Sequence, residues 1–145
     1  MKMDSEEWQI RLAAQADADA MAQLFGQLGY PASTAEVGER GGRLDPATEV
    51  LLACHGTDVA GVLVWHRLRP LHVAPDWGLI SALVVDEGAR GVGVGAALLA
   101  AAEASALAQG CSQLELSSSL KREEAHRFYL AQGYLERPKR FVKLF

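Results

Sequence analysis

The chain has 145 residues, half of them hydrophobic and 22% charged, with a formal net charge of -4. That length suits one domain, here residues 1–145, which can bury a core without disulfides or a structural metal. The negative balance argues against a general nucleic-acid binder, which needs a basic surplus to displace counterions from phosphates.

Met1 to Glu7 is acidic and has no apolar run, so no signal peptide is expected. No later stretch reaches the ~18 apolar residues of a membrane span, so the expectation is a cytoplasmic protein with no membrane contact. Trp8 to Leu12 alternates like a strand. Asp17 or Asp19 then opens a helix through Met21, Leu24, Phe25 and Leu28, stopped by Gly29 and Pro31. Ser33-Thr34-Ala35-Glu36 has the form of a capping box, but Gly38, Gly41 and Gly42 weaken the helix behind it, and residues 32–46 are expected to be a flexible lid. Glu49 to His55 and Val59 to Leu68 are β-rich runs around Gly56-Thr57-Asp58, the pattern of an antiparallel hairpin. Cys54, in the first run, and Cys111 have neither CxxC spacing nor paired histidines, so buried free thiols and no metal site are expected.

Pro70 and Pro75 mark a loop, and Trp77 to Val85 reads as a central strand buried on both faces. Val94 to Gln109 is a helix ended by Gly110, and Ser112 to Leu116 a following strand, so one βαβ unit spans 79–117. A last helix, Glu123 to Gln132, is closed by Gly133, with Tyr134 to Glu136 and Arg140 to Leu144 as two short strands around Pro138.

The chemistry concentrates between Leu83 and Leu99, where an apolar strand passes through an acidic turn into Arg90 and the alternating Gly91, Gly93 and Gly95, then into a helix. Glycines without Cβ let several backbone N–H groups approach an anion, and the helix start adds its positive dipole end. Gly91 to Ala96 also satisfies the GxGxxA form of a dinucleotide fingerprint, with Glu115 about 20 residues on. Asp86 to Arg90 intervene between strand and glycines, however, and only one βαβ unit exists. A Walker A loop would need Gly-Lys-Ser/Thr, and Gly95-Ala96-Ala97 stands there instead.

Leu-Val-Val, an acidic turn and Arg-x-x-Gly-x-Gly before a helix resemble the acetyl-CoA motif of the Gcn5-related N-acetyltransferase (GNAT) family. Ala125 to Tyr134, a helix carrying Phe-Tyr and ending in Gly-aromatic, is similar to that family's downstream signature. The resemblance follows the element order of the whole chain and is specific over 79–136. It implies an α/β (α+β) GNAT fold, with a mixed central sheet of about six to seven strands splayed at its centre and about four flanking helices. It further implies acetyl-CoA as cofactor, with pantetheine beside Leu83, Val84 and Val85. The diphosphate would rest on Arg90, Gly91, Val92, Gly93, Val94, Gly95 and Ala96, with Ser119 and Phe128 as further contacts.

A backbone N–H near Leu83 would polarise the thioester carbonyl. Tyr129 is expected as general acid, since a phenol can protonate the departing thiolate without prior ionisation; packing of the helix is the plainer role for it and for Phe128. The carboxylate that family members often carry on the central strand is missing, as Leu79, Ile80, Ser81 and Ala82 stand there. His66, His72 and Asp76 are candidate bases, or the amine arrives already neutral. The expected activity is acetyl transfer to a primary amine by direct attack in a ternary complex, the acceptor being a small-molecule or peptide amine. A non-catalytic acyl-CoA-binding or sensory domain is the alternative. Apolar edge strands are compatible with a homodimer.

Overall fold

The computed structural model describes residues 8–118, 123–137 and 141–145. Five strands form one sheet in chain order: β1 (Gln9–Leu12), β2 (Thr48–His55), β3 (Asp58–Leu68), β4 (Asp76–Val85) and β5 (Cys111–Leu116). β1 to β4 pair antiparallel, while β5 lies parallel to β4. That last step needs a crossover, which α3 (Val94–Ala108) supplies.

Side chains alternate along each strand, so the sheet buries two separate clusters. On one face Leu51, Leu63, Trp65 and Ile80 meet Leu98, Leu99 and Ala102 of α3. α3 can lie this close because Gly61 has no side chain: a Cβ there would stand 3.0 Å from Leu98 Cδ1 and Val94 Cγ1. On the other face Leu52, Val62 and Val84 meet Met21 and Leu24 of α1 (Ala18–Leu28) and Val37 of α2 (Thr34–Gly41).

The expected lid is a capped helix. Ser33 Oγ accepts from Glu36 N–H at 3.1 Å, and Glu36 Oε1 accepts from Ser33 N–H at 3.0 Å. Gly38 faces the start of α1, where a Cβ would lie in ordinary contact, 3.6 Å from Ala18 Cβ. Cys54 and Cys111 are buried free thiols, and burial raises both above the ordinary thiol range.

Two expectations need correction. β4 is not covered on both faces along its length; Gly78, Ile80 and Val84 are buried while Ser81 is exposed. The two C-terminal strands are also absent from the described residues, leaving five rather than six or seven. Tyr134 to Glu136 is not a strand because Tyr134 closes α4 (Glu123–Ala131), its N–H donating to Tyr129 O at 3.0 Å. Phe141 to Leu144 is unpaired and exposed, and Pro138 and Arg140 lie outside the described residues. No helix among the described residues is long and apolar enough to cross a membrane.

Candidate active site

β4 and β5 are paired only from Asp76↔Cys111 to Ile80↔Leu116. β5 ends there, while β4 runs on through Ser81 to Val85, held among the described residues by β3 alone, with Leu63↔Leu83 and Gly61↔Val85 in register. The strands therefore part at Ile80, and the outer half of β4 offers a free edge. Asp86 N–H donates to Ala60 O at 2.7 Å, so alternation turns the peptide groups of Ala82 and Val84 toward β3 and those of Leu83 and Val85 toward the opening. Val84 is buried toward α1, while Leu83 and Val85 pack on the α3 side.

Beyond β4 the acidic turn is tied down from α1. Gln27 Nε2 donates to Asp86 Oδ1 at 2.8 Å, its Oε1 accepts from Glu87 N–H at 3.0 Å, and Asp86 Oδ2 accepts from Gly88 N–H at 3.0 Å. These bonds occupy the Asp86 carboxylate locally and fix where the chain enters the glycines. Arg90 is exposed and its Nε donates to Val85 O at 3.4 Å, which keeps its guanidinium beside the free edge.

Gly91 and Gly93 adopt φ of 84° and 89°, in the left-handed region that penalises a side chain. Gly93 is the N-cap of α3 and has no side chain to cap it, so the first N–H groups of a fifteen-residue helix are left without a side-chain acceptor. Val92 and Ala96 are half-buried beside them and Val94 is buried in the core.

Gly95 has a different reason to be glycine. A Cβ there would stand 3.2 Å from Phe128 Cζ, so the Phe128 ring of α4 lies across the first turn of α3. Phe128 meets Tyr129 edge-on at 5.4 Å between centroids, and Tyr129 meets Tyr134 at 6.1 Å. Tyr134 OH donates to Glu103 Oε2 of α3 at 2.9 Å, and burial first, then this carboxylate, pushes the Tyr134 phenol well above its ordinary range. α4 is thereby clamped over α3 with Tyr129 half-buried in the aromatic row. Ser119 lies outside the described residues; Ser117 and Ser118 directly follow β5.

The three candidate bases separate. Asp76 sits at the closed end of β4, 3.3 Å from Arg69 and 3.8 Å from Arg67, about 17 Å along the strand from Ser81. It is an ion-pair residue. His72 lies in the exposed loop before β4, edge-on to Trp77 at 5.6 Å. His66 alone reaches the parting of the strands, with Nε2 2.6 Å from Ser81 Oγ and Nδ1 3.0 Å from Thr48 Oγ1. The sequence signal for this contact is Ser81 itself, a hydroxyl interrupting an apolar strand. Gln27 and Glu103 gave no such signal, because both act across long sequence separations from ordinary polar faces of helices.

A separate hollow of about 600 Å³ lies behind the turn, lined by Trp8, Asp19, His55, Asp58, Asp86 and Val92. Its carboxylates make it unsuited to phosphates, which the Gly91 to Gly93 amides suit.

The sequence model of the acetyltransferase (GNAT) family matches residues 10–134. The chain belongs to that family. Against the aminoalkylphosphonate N-acetyltransferase of Salmonella typhimurium, this GNAT chain is 42% identical over 100 residues, which are 69% of this chain and 65% of the relative. The matched part thus spans just under two thirds of that relative's length. A putative acetyltransferase from Agrobacterium tumefaciens superposes with a TM-score of 0.87 at 20% identity, over 94% of this chain and 99% of the other. A transcriptional regulator from Bacillus halodurans gives 0.85 at 23% identity, over 95% and 99%. At these identities the two structures attest the GNAT fold.

The family's acyl donor is acetyl-CoA, and the residues present fit it. A free strand edge suits an extended chain of amides, and uncapped helical N–H groups beside Arg90 suit a diphosphate.

Proposed function

We propose that this GNAT acetyltransferase carries the acetyl group of acetyl-CoA to a small primary amine by direct attack while both substrates are bound. The observation that carries this reading is the parting of β4 from β5 after Ile80, with the Gly91 and Gly93 turn at its mouth. Leu83 and Val85 present backbone groups to the pantetheine, while Val84 between them turns its own peptide groups to β3 and holds that edge in place. Arg90 and the amides from Gly91 to Ala96 hold the diphosphate, with Phe128 at its flank; the contact expected of Ser119 falls outside the described residues. Acetyl-CoA supplies an activated thioester when bound.

The Leu83 N–H stabilises charge that builds on the carbonyl oxygen, where a fixed donor helps most in the transition state. Tyr129 holds the proton that the leaving sulfur requires. Ring contacts with Phe128 and Tyr134 hold the Tyr129 side chain in place for this role.

The identity to an aminoalkylphosphonate N-acetyltransferase supports aminoalkylphosphonates as the first acceptors to examine. Buried free thiols support a reducing compartment, the cytoplasm. Exposed Phe141, Val142 and Leu144, together with β5 as an edge strand, support pairing of two copies, which sedimentation velocity would read directly. Thermal shift with acetyl-CoA and NADH, followed by free-thiol release across alkyl amines, aminoalkylphosphonates and peptide amines, tests the reading. The expected result is a rise in Tm with acetyl-CoA alone and amine-dependent thiol release. Binding of acetyl-CoA without release on any amine would instead favour an acyl-CoA-sensing domain.

A further inference from the structure

The geometry points to Thr48, His66 and Ser81 as the proton-accepting device for the incoming amine, an inference that rests on the acetyl-transfer reading above. Ser81 occupies a singular position in the sheet. The β3–β4 register passes from Val64↔Ala82 to Trp65↔Ile80, so Ser81 is the extra residue of a β-bulge. The β4–β5 ladder ends one residue earlier, at Ile80↔Leu116. Among the described residues Ser81 thus has no register partner on either side, and it stands where the strands part.

The face is also decided. Trp65 is buried in the α3 cluster, its Nε1 donating to Glu49 Oε1 at 3.0 Å, and the next residue of the strand points the opposite way. His66 therefore projects on the α1 and α2 side, away from the helix whose N-terminus suits the diphosphate. An amine entering from that side meets the free edge of β4 without crossing the acyl donor's path. Ser81 and Leu83 are two strand residues apart, about 7 Å, a span covered by the amine nitrogen and its hydrogen bonds.

The relay uses one tautomer of His66. A neutral imidazole has one donor and one acceptor nitrogen. With Nδ1–H donating to Thr48 Oγ1 at 3.0 Å, Nε2 accepts from the Ser81 hydroxyl at 2.6 Å. An ammonium N–H donates to Ser81 Oγ, the serine proton passes to His66 Nε2, and the serine keeps the ammonium proton. One N–H bond breaks at the amine, one forms at the imidazole, and the amine lone pair is free for the carbonyl carbon. Ser81 is the residue that touches the amine, while His66 acts through it and Thr48 fixes the ring.

His66→Gln keeps a polar side chain between Thr48 and Ser81 but cannot take up a proton. Thiol release is followed for wild type, His66→Gln and Ser81→Ala with 2-aminoethylphosphonate and with ethylamine and its mono-, di- and trifluoro derivatives, whose falling basicity leaves more of the amine neutral. For basic amines His66→Gln is expected to lower kcat by about 10²–10³-fold, within the range of acid–base catalysis, and Ser81→Ala by about tenfold, since water replaces the hydroxyl. The deficit should shrink steadily along the fluorinated series, while the acetyl-CoA-induced shift in Tm stays as in wild type. A merely structural histidine would give a constant deficit. That result, or equal turnover in His66→Gln, overturns the relay alone; wild type inert toward every amine yet stabilised by acetyl-CoA overturns the transfer reading and the relay with it.

Discussion

The two halves of β4 have similar apolar sequences and opposite duties. From Asp76 to Ile80 the strand is held on both sides, by β3 and by β5, and Gly78 is pressed between the Leu114 side chain and Trp65. From Ser81 to Val85 it is held, among the described residues, by β3 alone. Nothing in the apolar character of β4 makes this difference. It comes from where β5 stops and from the bulge at Ser81, so the same strand closes the sheet at one end and opens a substrate edge at the other.

The sharpest way to break this division is to disable chemistry at the open half while leaving the fold intact. Tyr129→Phe keeps the ring contacts with Phe128 and Tyr134 and removes only the hydroxyl. We expect kcat to fall by about 10²–10⁴-fold, the range for loss of a general acid, with an unchanged acetyl-CoA-induced rise in Tm. Turnover equal to wild type would leave Tyr129 a packing residue. Gly93→Val follows in size. The left-handed φ of 89° costs a β-branched residue roughly 1–2 kcal/mol and turns the first N–H groups of α3 aside. KM for acetyl-CoA should rise about tenfold, equivalent to ~1.4 kcal/mol of binding, with kcat at saturation little changed.

Gly78→Ala probes the closed half. A Cβ there would overlap the Leu114 side chain and come within 3.3 Å of Trp65, so the Leu114 side chain must shift from its place against β4. Overpacking of this kind costs roughly 1–3 kcal/mol, and Tm should drop by several degrees. Turnover per folded molecule should hold. A parallel loss of kcat would mean that the two halves are mechanically linked.

The legible part of the molecule was that written in local pattern. The glycines, the acidic turn and the Phe-Tyr helix each carry their signal within about ten residues of sequence, the scale on which caps and periodicity operate. The parting of β4 and β5 was expected only through family resemblance, because strand pairing is a long-range property that neither strand encodes alone. Gly95 shows the same limit in reverse: the motif places it among phosphate-binding glycines, while its Cβ position faces a ring from α4. His66 was one of three candidate bases until the register brought Ser81 beside it, and the capping box at Ser33 outweighed the glycines that argued against α2.

The far edge of the sheet supplies the reference for these effects. Arg11 on β1 grips Asp17 with both terminal nitrogens, at 2.8 Å each, and Ala14 N–H donates to the same carboxylate at 2.7 Å. The Arg11 hydrogen bond first, then the backbone donor, holds the Asp17 carboxyl below its ordinary range, although burial opposes this. A carboxyl that ionises more readily folded than unfolded contributes its full stability above the unfolded value, about pH 4, and loses it as the pH falls through the lower folded value. Asp17→Asn should therefore cost up to about 1 kcal/mol at pH 7, a fall in Tm of roughly 2–4 °C, since a partly exposed pair is screened by solvent. The gap from wild type should narrow below about pH 4 as the wild-type carboxyl takes up its proton. Because the pair lies beyond β2 and β3 from the opening, kcat and KM should match wild type; a change in either would show that the open half of β4 responds to strain across the whole sheet.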